Sequence, residues 1–241
     1  DYESWFFPEE EEESRGRVNK TYELIFHKIV KSDWLKGLLA KDGYTAQKIP
    51  LGMDLSMFYP RDIKKASYPI VLAMARPRTP RRGYKYVISA LHQVKKERPD
   101  AEIILFGDHL QKKQIPFDFN DAGVITDQYR LAELFSKADV FLDGSDYQGF
   151  GRTALEAMAC GAACVLTNVG GVTEYAGDGR NCLTVPPREP GLFSDAILRI
   201  LKDTALKAKL INGGFATVTD YCHKREARET LEYFETIKRK S

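Results

Sequence analysis

Gly149, Gly151, Arg152 and Glu156 stand where an apolar run, Val140 to Leu142, gives way to a stretch dense in Ala, Leu, Met and Glu. That stretch is made of strong helix formers, so the pattern reads as strand, glycine turn, helix. Gly149 and Gly151 flank Phe150, and glycine there lets the backbone take positive φ or approach a ligand closely. A helix beginning near Arg152 aims its unpaired first N–H groups, Thr153 among them, and the positive end of its dipole at whatever fills the turn. Phosphate is the usual occupant of such a place. Glu156, one turn in, offers a carboxylate that accepts hydrogen bonds from ligand hydroxyls. The spacing predicts an anion site carrying a carboxylate. A buried αβ junction with no ligand shares the pattern.

Positive charge is concentrated in a second place. Arg76, Arg78, Arg81 and Arg82 follow the apolar run Ile70 to Met74 and precede Gly83. A guanidinium grips phosphate through a planar fork, although a basic surface loop without a ligand has the same composition.

Beyond these residues the likeness is to a known family. The stretch from Asp143 to Gly161 resembles the donor-site motif of retaining nucleotide-sugar glycosyltransferases of the GT-B fold, family 4 type. Their pattern is Glu-Gly-Phe-Gly, a second Glu eight positions after the first, then Ala-Met-Ala-Cys-Gly. The second Glu is Glu156; the first is replaced by Gln148. The likeness runs on through Gly170, Gly171 and Glu174, then through Gly177 to Pro187, with Cys182 where a Gly is usual.

The resemblance implies roles. Arg76 and Arg82 grip the donor diphosphate, Arg82 standing where the family has Lys, with Arg78 and Arg81 as solvated companions. Glu156 accepts from the ribose, Gln148 faces the donor sugar, and these four are the expected catalytic set. Gly149, Phe150, Gly151, Arg152 and Thr153 line the donor, and Thr126 lies near its base. Glu174 contacts the sugar or caps the next turn. A carboxylate replaced by an amide weakens the transfer, suits a different donor sugar such as a deoxyhexose, or marks a non-catalytic sugar-nucleotide-binding module of a larger assembly. The donor is a substrate; no cofactor and no metal are expected, since Asp143 and Asp146 are not spaced as Asp-x-Asp. The acceptor would be a saccharide or a lipid-linked one, in cell-surface polysaccharide or glycan synthesis.

Composition allows this and excludes alternatives. The chain has 241 residues, 43% hydrophobic and 29% charged, ordinary globular values. A net charge of +2 indicates no nucleic-acid partner. No apolar run is long enough for a membrane span, and no charged-then-apolar leader opens the chain. Cys160, Cys164, Cys182 and Cys222 lack metal-ligand spacing; Cys160 and Cys164 are expected to be inert buried thiols. A cytoplasmic protein is expected, with the cytoplasmic membrane face open to it.

These residues need elements to hold them. The expected fold class is α/β, a Rossmann-like doubly wound parallel sheet, the GT-B C-terminal domain, preceded by the tail of an N-terminal domain. Residues 1–65 read as that tail (acceptor domain) plus an interdomain linker, 66–222 as the donor-binding domain, and 223–241 as a C-terminal helix. The aromatic opening, Asp1 to Pro8, suggests that an N-terminal portion is missing and is a partner of this one. Strands are expected at 70–74, 101–106, 123–126, 139–143, 164–167 and 181–185, alternating with helices. Those helices are expected at 84–97, 129–137, from 152, at 190–202, 205–212 and 224–240. Earlier helices are expected at 18–31 and 32–41, with the acidic run Glu9 to Glu13 as loop or first turn. His109 ends a strand as a ligand contact or a solvent-facing loop residue. Leu231, Phe234 and Ile237 share one helical face, expected to pack, the helix either packing back on the missing domain or touching phospholipid through its basic end, Lys238 to Lys240.

Overall fold

The runs Ile70–Met74, Val140–Asp143 and Ala163–Thr167 are buried at every position, as strands must be when helices cover both faces of their sheet. A computed structural model describes residues 2–7 and 9–240; Asp1 and Pro8 of the aromatic opening lie outside the described residues. In chain order the elements are α1 (Glu12–Glu23), β1 (Ile29–Val30), α2 (Asp33–Lys41), β2 (Gln47–Lys48), β3 (Ile70–Met74), α3 (Tyr84–Glu97), β4 (Glu102–Phe106) and β5 (Asn120–Gly123). They continue as α4 (Gln128–Lys137), β6 (Val140–Asp143), α5 (Arg152–Ala159), β7 (Ala163–Thr167), β8 (Leu183–Val185), α6 (Pro190–Lys202), α7 (Thr204–Val218) and α8 (His223–Lys240).

Six strands form one parallel sheet in the order β5-β4-β3-β6-β7-β8. The chain enters at β3, builds outward to β5, then crosses to β6 and builds the other way. Its direction therefore reverses between β3 and β6, where Ala73 pairs with Leu142. Ligands of open α/β sheets bind beyond the strand ends at such a reversal.

Alternation along each strand divides the core. Val71, Ala73, Val140, Leu142 and Val165 meet Leu91 of α3 and Phe193 and Ile197 of α6. Leu72, Met74, Phe141 and Leu166 meet Phe135 of α4 and Leu155 and Met158 of α5. Each large side chain buried in this way stabilises the fold by about 1.5–3 kcal/mol. The expected doubly wound α/β sheet is the one found.

Several boundaries differ. The first helix spans 12–23 instead of 18–31, and β1 occupies part of the expected helix. The edge strand lies at 120–123, not 123–126, which leaves Thr126 in the loop before α4. The helix expected at 205–212 runs on to Val218. Leu231 and Phe234 are 60% and 53% exposed.

A small second layer lies before the main sheet. β1 and β2 pair in parallel, and Val30, Leu35 and Leu39 pack under them with Trp34 and Tyr44. This layer touches the main domain at the turn ahead of α5.

Candidate active site

Two loops meet beyond β3 and β6. The first carries Arg76 and ends in a single 3-10 turn, Pro80–Arg82. The second runs from Gly144 to Gly151, whose φ of 87° starts α5 without a side-chain cap. The loops are stitched by the Asp146 amide, which donates to the Arg81 carbonyl at 2.8 Å.

Arg82 reaches across this seam. Its Nη1 donates to Gln148 Oε1 at 2.7 Å and to Ser145 Oγ at 3.5 Å. Gln148 Nε2 donates to Asp143 Oδ2 at 3.1 Å. Asp143 Oδ1 accepts from the Ser145 amide at 3.1 Å and from the Ser145 hydroxyl. Asp143, Ser145 and Gln148 are all buried.

Arg76 is half-buried beside this network. Burial and the neighbouring Arg82 charge hold its guanidinium below the ordinary arginine range, with Asp143 opposing. The Nε atoms of both Arg76 and Arg82 are buried without a hydrogen-bond partner. Buried donors are normally satisfied, so two cationic donors at the seam suit an anion that would receive them.

A cleft of about 240 Å³ opens here, lined by Arg76, Gly107, Thr126, Arg152, Thr153 and Glu156. Five expected site residues are thereby brought together: Arg76, Thr126, Arg152, Thr153 and Glu156. Glu156 is nearly buried and pairs with Arg152 Nε at 2.9 Å, whose side chain is 54% exposed. Burial pushes the Glu156 carboxyl up from the usual carboxylate range, with Arg152 pulling it down.

Other expected residues have different surroundings. The Phe150 ring is buried in the core, edge-on to Tyr175 at 5.7 Å and tilted against Tyr221 at 5.6 Å. Phe150 thus holds the turn from behind and is not a ligand-facing group. Gly149 accepts from Ser32 Oγ at 2.7 Å, and Gly151 from the Tyr175 hydroxyl at 2.7 Å. Glu174 pairs with Lys48 at 3.0 Å and accepts from the Asp33 amide, so it ties the turn to α2. Arg81, expected in solvent, is half-buried over the Phe6 ring at 4.0 Å. Arg78 pairs with Asp108 and is largely exposed, and His109 faces solvent. Cys160 and Cys164 are buried; burial pushes the Cys160 thiol up to about 12 and the Cys164 thiol up as well.

The sequence reading puts Asp143 and Ser145 in the ligand-facing stretch without a role; it reads Ser32 as the N-cap of the second helix, which it is, but not as a partner of Gly149. One signal for Asp143 was present: an acidic residue closing an apolar strand.

Residues 68–203 match the family described as glycosyl transferases group 1. The chain belongs to that family. A D-inositol 3-phosphate glycosyltransferase of Paenarthrobacter aurescens is 28% identical over 253 residues, 94% of this chain and 60% of its own length. The phosphatidyl-myo-inositol mannosyltransferase of Mycobacterium tuberculosis is 26% identical over 246 residues, 92% of this chain and 63% of its own. The chain thus spans about three-fifths of these relatives. Among solved structures, sucrose-phosphate synthase of Thermosynechococcus elongatus superimposes with a TM-score of 0.83 at 26% identity, covering 100% of this chain and 66% of that one. Anabaena HepE, solved with UDP-glucose, gives 0.81 at 20% identity, covering 96% and 70%. The sheet is that of GT-B glycosyltransferases, as the resemblance implied.

Next to the site lies a larger cleft of about 770 Å³, bordered by Trp5, Phe6, Arg81, Tyr84, Tyr147 and Arg188. Among the described residues, no helix is long and apolar enough to cross a membrane.

Proposed function

We propose that this chain carries the donor site of a glycosyltransferase that moves a hexosyl or deoxyhexosyl unit from a nucleotide-diphosphate sugar to a saccharide or lipid-linked acceptor. The observation that carries the reading is the seam at the sheet's reversal. Arg76, the first residues of α5 and the Glu156 carboxylate line one cleft, and Arg82, which like Arg76 has a buried unpartnered Nε, lies on the adjoining seam with Gln148. The ribose hydroxyls would donate to Glu156. Arg76, Arg82 and the first amides of α5 would neutralise the diphosphate as it departs. Stabilising that developing charge usually contributes most to the rate of such transfers. Arginine charge in this position supports a transfer that needs no metal, with retention of configuration taken from the resemblance.

The aromatic cleft beside the seam supports an acceptor site, since aromatic faces stack against sugar rings. Residues 1–65 would then belong with an acceptor domain and its linker, 66–222 with the donor domain, and 223–241 with a closing helix. A portion preceding this one would complete the acceptor side. The setting proposed is cell-surface polysaccharide or glycan synthesis at the cytoplasmic face of the membrane, with peripheral contact through the basic end of α8.

Thermal unfolding with UDP, GDP, ADP and dTDP, each with and without magnesium, tests the donor site. Because HepE is described with UDP-glucose, UDP is the first to try. A ligand at about 100 times its Kd stabilises by about 2.7 kcal/mol, a shift of several degrees. One nucleotide giving that shift, lost on Arg82→Ala and Glu156→Ala, bears the reading out; silence with all four refutes it. Binding without turnover by the full-length protein would favour a non-catalytic module.

A further inference from the structure

Position 148 carries a primary amide whose two ends have nearly the same shape and opposite chemistry, one accepting and one donating. Here its orientation is dictated from both sides. Arg82 has only donors, and its Nη1 lies 2.7 Å from Gln148 Oε1. Both Asp143 oxygens act as acceptors here, Oδ1 from Ser145 and Oδ2, 3.1 Å away, from Gln148 Nε2. Turning the amide over would set donor against donor and acceptor against acceptor. Asp143 is itself anchored, because the Ser145 amide and hydroxyl both donate to its other oxygen. Asp143 is 2% exposed, Ser145 0% and Gln148 6%, so water cannot stand in for a lost partner, and each mismatch carries its full cost.

We infer that Asp143 is a positioning residue that restricts position 148 to a neutral amide and holds, beneath it, the negative charge that a glutamate there would carry. This rests on the donor-site reading for its functional part; the pairing itself rests on the geometry alone. A glutamate at 148 beside an unchanged Asp143 would set two carboxylates about 3 Å apart out of water, with Arg82 facing only one of them. Like charges at that spacing resist joint ionisation. Gln148 is therefore one half of a matched pair, and the two positions must be exchanged together.

Four full-length proteins test this: the wild type, Asp143→Asn, Gln148→Glu and the double variant. In Asp143→Asn the new amide group still accepts from Ser145 but presents Nδ2 to Gln148, forcing a donor–donor clash there or at Arg82. In Gln148→Glu the two carboxylates confront each other. In the double variant the amide at position 143 donates to one oxygen of the carboxylate at position 148 and Arg82 to the other, which restores every bond. Each single substitution should lower Tm by about 4 °C and sugar transfer at least tenfold, mostly in kcat. The double variant should recover to within about 2 °C and threefold of the wild type, a non-additivity expected only of groups in contact. Losses that simply add in the double variant, or a Gln148→Glu protein indistinguishable from the wild type, would overturn the pairing. If the wild type itself transfers no sugar, the transfer reading falls and the Tm cycle decides the pairing by itself: compensation upholds it and additivity overturns it.

Discussion

The Ser32 hydroxyl donates to the Gly149 carbonyl at 2.7 Å and accepts from the Leu35 amide at 3.2 Å. One fully buried side chain thus caps α2 and holds the turn ahead of α5, joining segments 117 residues apart. Glu174 makes a parallel tie to the Asp33 amide and Lys48. The small N-terminal layer is therefore part of the scaffold of the loop ahead of α5.

Ser32→Ala removes both bonds at once. A lost N-cap costs about 1 kcal/mol and a buried hydrogen bond a comparable amount. Together they should lower Tm by about 4–8 °C. Calorimetry gives the Tm, and the shift produced by UDP should shrink in the same variant because the turn is no longer held. A variant with wild-type Tm would show that this link contributes little.

Glu156 sets stability against binding. Burial pushes its carboxyl up, and Arg152 only partly opposes this. The folded chain then holds that proton more tightly than the unfolded chain. Its contribution to stability is fully present below the unfolded value of about 4.3 and is lost as pH rises through the raised folded value. At pH 7 the ionised side chain is a burden that Gln would not carry. Glu156→Gln should therefore raise the Tm of the ligand-free protein at pH 7, with the gain fading toward pH 4, while the response to nucleotide is lost. Tm measured across that range, with and without UDP, reads both effects. A Tm lower than the wild type at pH 7 would contradict the burial argument.

What could be read in advance, and what could not, follows from how each residue is held. β3 and β6 are unbroken apolar runs, so their ends, and with them Arg76 and Gln148, were placed correctly. β5 is an edge strand of Asn120, Asp121, Ala122 and Gly123 with no apolar run; Val124 and Ile125 just beyond it drew the reading downstream. α1 buries no residue and had no apolar face to find. The helix expected to stop at 212 runs through Gly213 and Gly214, and a Cβ at Gly213 would lie 2.0 Å from the Arg180 carbonyl oxygen. The glycine permits close packing there and α7 continues. That Arg76, Thr126, Arg152, Thr153 and Glu156 share one cleft was legible because each lies after the end of a strand of the sheet. The site's contacts were not: Gln148 with Asp143, and Ser32 with Gly149, exist only once the loops are folded against one another.

Arg76 and Arg82 separate from Arg78 by the same reasoning. The first two present buried donors at the seam, whereas Arg78 pairs with Asp108 and its side chain is 81% exposed. A charge-assisted hydrogen bond contributes about 1.5–3 kcal/mol, or about ten- to a hundredfold in affinity. Isothermal titration with UDP should show losses of that size for Arg76→Ala and Arg82→Ala, and a change within about twofold for Arg78→Ala. Equal losses at all three would mean a diffuse basic surface in place of a built site.

Two loops of the site approach one another closely at Gly171. Its amide donates to the Gln148 carbonyl at 2.8 Å, and a Cβ there would lie 1.8 Å from the Gly149 oxygen and 2.3 Å from its carbon. Both obstructing atoms are backbone, so no side chain can swing aside and the loops must separate. Gly171→Ala should cost about 1–3 kcal/mol, the usual toll of overpacking, and displace Gln148 from Arg82 and Asp143, lowering transfer at least a hundredfold. Gly191 in the first turn of α6 is the counter-case, with nothing within 4 Å of its would-be Cβ. Alanine there should be neutral or stabilise by up to about 1 kcal/mol, with transfer unchanged. Tm and turnover for the two variants distinguish a specific backbone contact from a general intolerance of alanine for glycine, and a Gly171→Ala protein that retains both would dissolve the argument that these loops must touch.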